Sequence, residues 1–114
     1  MLVMVESAAA VAGIDAILKT PGLDGIMVGP ADLAATMGHL SDLGHPDIRS
    51  AVNDVRDACE RHSVPFGIFT ATEQAARDWA AAGARFMTVG ADTQFIDQGL
   101  AKSRALAQSL RESR

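Results

Sequence analysis

The stretch Gly25-Ile-Met-Val-Gly29-Pro30-Ala-Asp32 runs uncharged as far as Ala31 and then stops on a carboxylate. Its apolar part is too short for a helix and lacks polar alternation, which is the pattern of a strand buried on both faces, and Pro30 ends the run. Similar runs lie on either side: Met1-Leu-Val-Met-Val5, Val64-Pro-Phe-Gly-Ile-Phe69 and Arg85-Phe-Met-Thr-Val-Gly90. Helical spacing fills the gaps between them. From Ala8 to Leu18 the apolar positions are Val11, Ile14, Ile17 and Leu18, and Thr20-Pro21-Gly22 stops the helix. After the run at Gly25, Leu33-Ala-Ala-Thr-Met37 reads as a short helix. From Pro46 the positions Ile48, Val52, Val55 and Cys59 make one helix face that ends near His62-Ser63.

Further on, Thr70-Ala-Thr-Glu73 has capping-box spacing ahead of a helix with Ala75, Ala76, Trp79 and Ala82, closed by Gly83. Asp92 can cap a last helix with Phe95, Ile96, Leu100, Ala107 and Leu110 on its apolar side. The order is βαβαβαβα, an α/β chain with a parallel sheet and right-handed crossovers. Four units in 114 residues give about 28 each, against about 31 per unit in a 250-residue barrel. An open doubly wound sheet fits the same pattern, and periodicity does not separate the two.

Residues 1–114 read as a single domain with no linker, repeat or low-complexity segment. Hydrophobic residues make up 48% and charged residues 21%, which sets the chain among globular proteins. The net charge of −4 argues against a nucleic-acid surface, which needs a basic face. Acid gathers early: residues 1–57 carry 8 Asp+Glu against 3 Lys+Arg, residues 58–114 carry 6 against 7. Cys59 is the only cysteine, so no internal disulfide and no cysteine zinc site can form, as suits a reducing compartment. With no long apolar run and no signal peptide, the expected address is the cytoplasm, without membrane contact.

Glu6 follows the first strand and Asp32 the second, so a parallel sheet puts both on its C-terminal rim, where α/β proteins collect their sites. Adjacent strands lie about 4.8 Å apart, close enough for two carboxylates to share a hard divalent cation. A helix N-cap role for Asp32 and a solvated rim position for Glu6 account for the same spacing.

Met4-Val-Glu6-Ser7, then Pro21-Gly-Leu-Asp-Gly-Ile-Met-Val-Gly29-Pro-Ala-Asp-Leu-Ala-Ala-Thr-Met-Gly38, Gly44-His-Pro46 and Gly83-Ala-Arg-Phe-Met-Thr-Val-Gly-Ala-Asp92 together resemble the HpcH/HpaI aldolase family. The resemblance covers essentially the whole chain and implies four βα units, the C-terminal half of a TIM (β/α)8 barrel. It implies a metal-dependent carbon–carbon lyase that cleaves a 2-keto-3-deoxy sugar acid or 4-hydroxy-2-oxo acid to pyruvate and an aldehyde. Glu6 and Asp32 match the family's metal ligands, for Mg2+, Mn2+ or Co2+, and the backbone N–H groups of Ala31 and Asp32 match its cradle for the pyruvate carboxylate. Met4 stands where some members carry Gln. The family's substrate-binding Arg and its proton-transferring His belong to the first half of its barrel, so no catalytic acid, base or oxyanion Arg is assigned to any residue here. A complementary N-terminal half-barrel or a homo-oligomer is the expected partner. A non-catalytic half-barrel module that retains the metal is the alternative.

The other chemistry-bearing residues have plainer readings. His39 and His45 lie in the loop after the second strand, on the side of the carboxylates, with His45 organising the entry to the next helix. His62 sits at a helix C-terminus, Cys59 and Trp79 read as packing residues, and Val89-Gly-Ala-Asp92 is a turn that caps a helix or holds a phosphate. Arg49, Arg56, Arg61, Arg104, Arg111 and Arg114 read as solvated helix faces.

Overall fold

The computed structural model describes residues 1–40 and 42–113, so Arg114 lies outside them. Four strands alternate with helices: β1 (Leu2–Val5), α1 (Ala8–Ala12), α2 (Ile14–Leu18), β2 (Gly25–Val28), α3 (Pro30–Thr36), α4 (Pro46–Arg61), β3 (Phe66–Thr70), α5 (Glu73–Ala81), β4 (Phe86–Val89) and α6 (Asp92–Glu112). All strands pair in parallel, in the order β1-β2-β3-β4. This order decides between the two architectures. A doubly wound sheet must reverse its strand order to place helices on both faces, whereas right-handed crossovers between successive neighbours put every helix on one face. The sheet is therefore an arc of a barrel wall.

Burial follows from that one-sided cover. Val5, Ile26, Val28, Phe66 and Ile68 turn to the helices and are buried with Ile14, Leu18, Leu33, Ile48, Val52, Val55 and Cys59. The register joins Val5 to Val28 and Val28 to Ile68, so these side chains line up across the strands. On the other face Leu2 and Met4 are exposed. The Phe86 ring there crosses Gly67, where an added methyl carbon would lie 2.3 Å from it, and reaches Gly25, where the distance is 3.1 Å. Two glycines thus form the bed for one aromatic ring.

Several local details depart from the sequence expectations. Gly13 divides the helix expected over Ala8–Leu18 into α1, capped by Ser7 Oγ accepting the Ala10 N–H at 3.2 Å, and α2. The cap of α5 is Thr72, whose Oγ1 accepts the Ala75 N–H at 3.1 Å; Thr70 belongs to β3 and donates to the Thr88 carbonyl at 3.1 Å. Ala91 stands at the N-cap of α6, and Asp92 is its first helical residue. The apolar side expected for that helix finds no core: Phe95, Ile96, Leu100 and Leu110 are exposed, as is every described residue from Phe95 onward.

Candidate functional site

Backbone hydrogen bonds bring the ends of β1 and β2 together. The Gly29 N–H donates to the Val5 carbonyl at 3.1 Å, which extends the ladder one residue past β2 and sets Gly29 beside Glu6. Gly29 is also the N-cap of α3, with Pro30 in the first turn, and its carbonyl accepts the Leu33 N–H at 3.1 Å. Behind Glu6, the Ala8 N–H donates to Thr36 Oγ1 at 3.1 Å and that hydroxyl donates to the Leu33 carbonyl at 2.9 Å, tying α1 to α3. The segment carrying Glu6 is therefore fixed to the helix carrying Asp32 on two sides.

Glu6 lies over Gly29. A methyl carbon built there would meet Glu6 Cβ and Glu6 Oε2 at 3.3 Å each and Met4 Sδ at 3.6 Å. Asp32 is the third residue of α3 and not its cap, which corrects the capping reading: Gly29 takes that position and no side-chain cap bond forms. Both carboxylates are exposed, and among the described residues neither takes part in an ion pair. The N–H groups of Ala31 and Asp32 occupy the first turn, where a helix has no internal acceptor to offer. Hard oxygens without an ion-pair partner among the described residues, one just past β1 and one in the first turn of the helix after β2, with a glycine clearing space below the first, suit an oxygen-loving divalent cation.

The remaining candidates separate from this rim. His45 caps α4 by accepting the Asp47 N–H on Nδ1 at 3.2 Å, the entry role its position predicts, and His39 stacks against it. His62 is the C-cap of α4, and its Nε2 lies 2.9 Å from Asp15 Oδ1. Hydrogen bonds from His62 and then Arg61 hold the Asp15 carboxyl below the usual range, a surface link from α2 to α4. Cys59 is fully buried, and desolvation pushes its thiol up to about 11. Trp79 packs on the core with its ring centroid 5.9 Å from that of Phe66. What sequence reading missed is Gly29 as the bed of Glu6 and Asp47 as the third member of the histidine pair; the Gly-Pro turn and the His45-Pro-Asp47 triplet were the available signals.

Comparison with known proteins agrees with the fold. A family model, HpcH/HpaI aldolase/citrate lyase, matches residues 1–98. A 5-keto-4-deoxy-D-glucarate aldolase of Shigella dysenteriae serotype 1 (strain Sd197) is 45% identical over 92 residues, covering 81% of this chain and 36% of the relative. The corresponding enzyme of Escherichia coli (strain K12 / DH10B) is 44% identical over the same length. The chain thus spans about a third of the length of these curated relatives. Among solved structures, an HpcH/HpaI aldolase/citrate lyase family protein from Burkholderia cenocepacia J2315 superposes with a TM-score of 0.84 at 43% identity, over 96% of this chain and 42% of that one. An HpcH/HpaI aldolase from Desulfitobacterium hafniense DCB-2 gives 0.85 at 30% identity, over 94% and 42%.

Proposed function

The chain belongs to the HpcH/HpaI aldolase/citrate lyase family, and from that premise we propose that it carries the metal-binding half of a pyruvate aldolase active site. The substrate class is a 2-keto-3-deoxy sugar acid or 4-hydroxy-2-oxo acid, with 5-keto-4-deoxy-D-glucarate the first candidate because the curated relatives are aldolases of that acid. The observation that carries the reading is Glu6 just past the end of β1, resting on Gly29, with Asp32 in the first turn of the helix that follows the paired strand β2.

Glu6 and Asp32 would hold Mg2+, Mn2+ or Co2+ through hard oxygen atoms. Such a cation supplies Lewis-acid polarisation of the keto acid's oxygens. The N–H groups of Ala31 and Asp32 would receive the substrate carboxylate, assisted by the positive end of α3. Pro30 stiffens this turn and adds no competing N–H. The proton-transfer groups of the reaction have no candidate among these residues, and four strands do not close a barrel. Turnover is therefore proposed to need a complementary half-barrel or a second copy of the chain. The buried lone cysteine suits a cytoplasmic setting.

Two measurements test the proposal. Mn2+ titration should give one carboxylate site that Glu6→Ala or Asp32→Ala each weakens by more than about tenfold, since two anionic ligands become one. Release of pyruvate from the keto-deoxy acid should then appear with Mn2+ when an N-terminal half-barrel of the family is supplied. Mn2+ affinity unchanged in both variants removes the shared site. Binding without turnover in any combination leaves the non-catalytic module.

A further inference from the structure

Beyond α3 the chain turns back at Gly38, in a left-handed conformation with φ +83°, and the His39 N–H donates to the Ala34 carbonyl at 2.8 Å. This turn anchors His39 to the end of α3 and brings its ring onto that of His45: the ring centroids are 3.7 Å apart and the planes 19° from parallel. Asp47, in the first turn of α4, faces both. Its Oδ2 lies 3.4 Å from His39 Nε2 and 3.7 Å from His45 Nδ1. One ligand atom from each of the three residues lies within 4.8 Å of the others.

These separations are too long for hydrogen bonds, which bring N and O to about 2.7–3.2 Å. The two separations to Asp47 lie near the edges of a metal coordination shell, and the two imidazole nitrogens, within 4.8 Å of each other, need a tilt of the rings to complete it. A four-coordinate ion with bonds of about 2.0–2.1 Å to nitrogen and oxygen sets its ligands about 3.4 Å apart. We propose that His39, His45 and Asp47 form a second cation site, selective for a borderline divalent ion of the Zn2+ type and separate from the carboxylate rim. Two imidazoles and one carboxylate favour Zn2+, Ni2+ or Co2+ over Mg2+, whereas Glu6 and Asp32 offer oxygen alone. Asp32 stands in the first turn of α3, whereas His39 follows the turn beyond its C-terminus, which lies about 6 Å of helical rise further along at Thr36.

All three side chains are at least partly open to solvent, at 25% for His39, 33% for His45 and 63% for Asp47, so the rings can tilt out of their stack and leave a fourth position for water. One exchange accompanies loading. His45 Nδ1 now accepts the Asp47 N–H at 3.2 Å, and that same lone pair turns to the ion, leaving the exposed N–H to water.

The test is calorimetric titration of the full chain with Zn2+ in excess Mg2+, with circular dichroism as the check on folding. Saturable binding is expected, weakened at least about tenfold in His39→Ala, Asp47→Asn and His45→Asn. The last keeps a capping side chain while removing the imidazole. Glu6→Gln/Asp32→Asn should bind Zn2+ as the parent does, and Co2+ should give a visible spectrum of nitrogen ligation that His39→Ala abolishes. The site is overturned if Zn2+ does not bind saturably, if the histidine variants bind it unchanged, or if the double carboxylate variant alone loses it. Loss of Mn2+ binding at Glu6 and Asp32 with Zn2+ binding intact would count against the aldolase reading only.

Discussion

Glu6 rests on Gly29: a methyl carbon at that glycine would stand 3.3 Å from both Cβ and Oε2 of Glu6. The glycine's backbone, at φ −102° and ψ 93°, lies in the region open to every residue, so what requires glycine is the neighbour and not the conformation. Gly29→Ala should therefore leave the fold intact while moving the Glu6 carboxylate by a few tenths of an ångström. Mn2+ affinity is expected to fall several-fold, less than in Glu6→Ala. Equal affinity in Gly29→Ala and the parent chain would separate Glu6 from the metal.

The uncovered face of the sheet offers a cleaner packing experiment. Gly67 carries the Phe86 ring so closely that a methyl carbon there would overlap it, at 2.3 Å. Gly67→Ala must push the ring aside, and overpacking of this kind costs about 1–3 kcal/mol. Phe86→Leu in the same chain should return part of that loss, because the clash is with a side chain. Urea midpoints of the two single variants and the double variant measure the coupling, and strictly additive losses would show that the ring does not lie on the glycine.

How much of this could be read from residues alone depended on whether the determinant was local. Apolar runs such as Gly25–Val28 announce parallel strands because they lack polar alternation, but the burial on both faces that the runs predict is not observed: helices cover one face, and Leu2 and Met4 are exposed on the other. The arc of a barrel was not readable from periodicity, because strand order is a long-range property; only the pairing β1-β2-β3-β4 excludes the doubly wound sheet. Gly13 was a visible helix breaker inside a pattern that looked continuous. The apolar stripe of α6 had correct helical spacing but no described core to enter, since spacing specifies a face and not what covers it. Glu6 and Asp32 stand out in the sequence as candidates because both follow strands, and their closeness to Gly29 and to the first turn of α3 is a matter of the fold. Asp47 escaped because its closeness to His39 is made by the turn at Gly38.

Cys59 gives a prediction in pH. Desolvation raises its thiol from 9.0 to about 11, so the unfolded chain gives up the proton first. The sign follows directly: a group whose pKa is raised by folding contributes fully below its unfolded value and loses that contribution as pH rises through the folded one. Stability should be unaffected by this group below pH 9.0 and should decline between 9.0 and about 11. Comparing denaturant midpoints of the parent and Cys59→Ala across that range isolates the effect. Parallel midpoint curves for the two chains would rule it out, and rapid reaction of the native thiol with a maleimide would contradict its burial.

The exposed apolar surface predicts association. Leu2 and Met4 stand open on the uncovered sheet face, Val89 at the end of β4, and Phe95, Ile96, Leu100, Leu106 and Leu110 along α6. The strand order leaves β1 and β4 with one unpaired edge each. Covering even several hundred Å2 of apolar area, at roughly 25 cal/mol per Å2, is worth on the order of 10 kcal/mol, comparable with the whole stability of a small domain. Burial of such a surface against another copy or a complementary half-barrel is the expected outcome. At micromolar concentration, sedimentation should show a species larger than 11.9 kDa. Exchange of Phe95, Ile96 and Leu100 for serine should shift it toward the monomer if α6 contributes to the contact, whereas exchange of Leu2 and Met4 tests the sheet face separately. A compact parent monomer that unfolds cooperatively would mean that this surface drives no assembly.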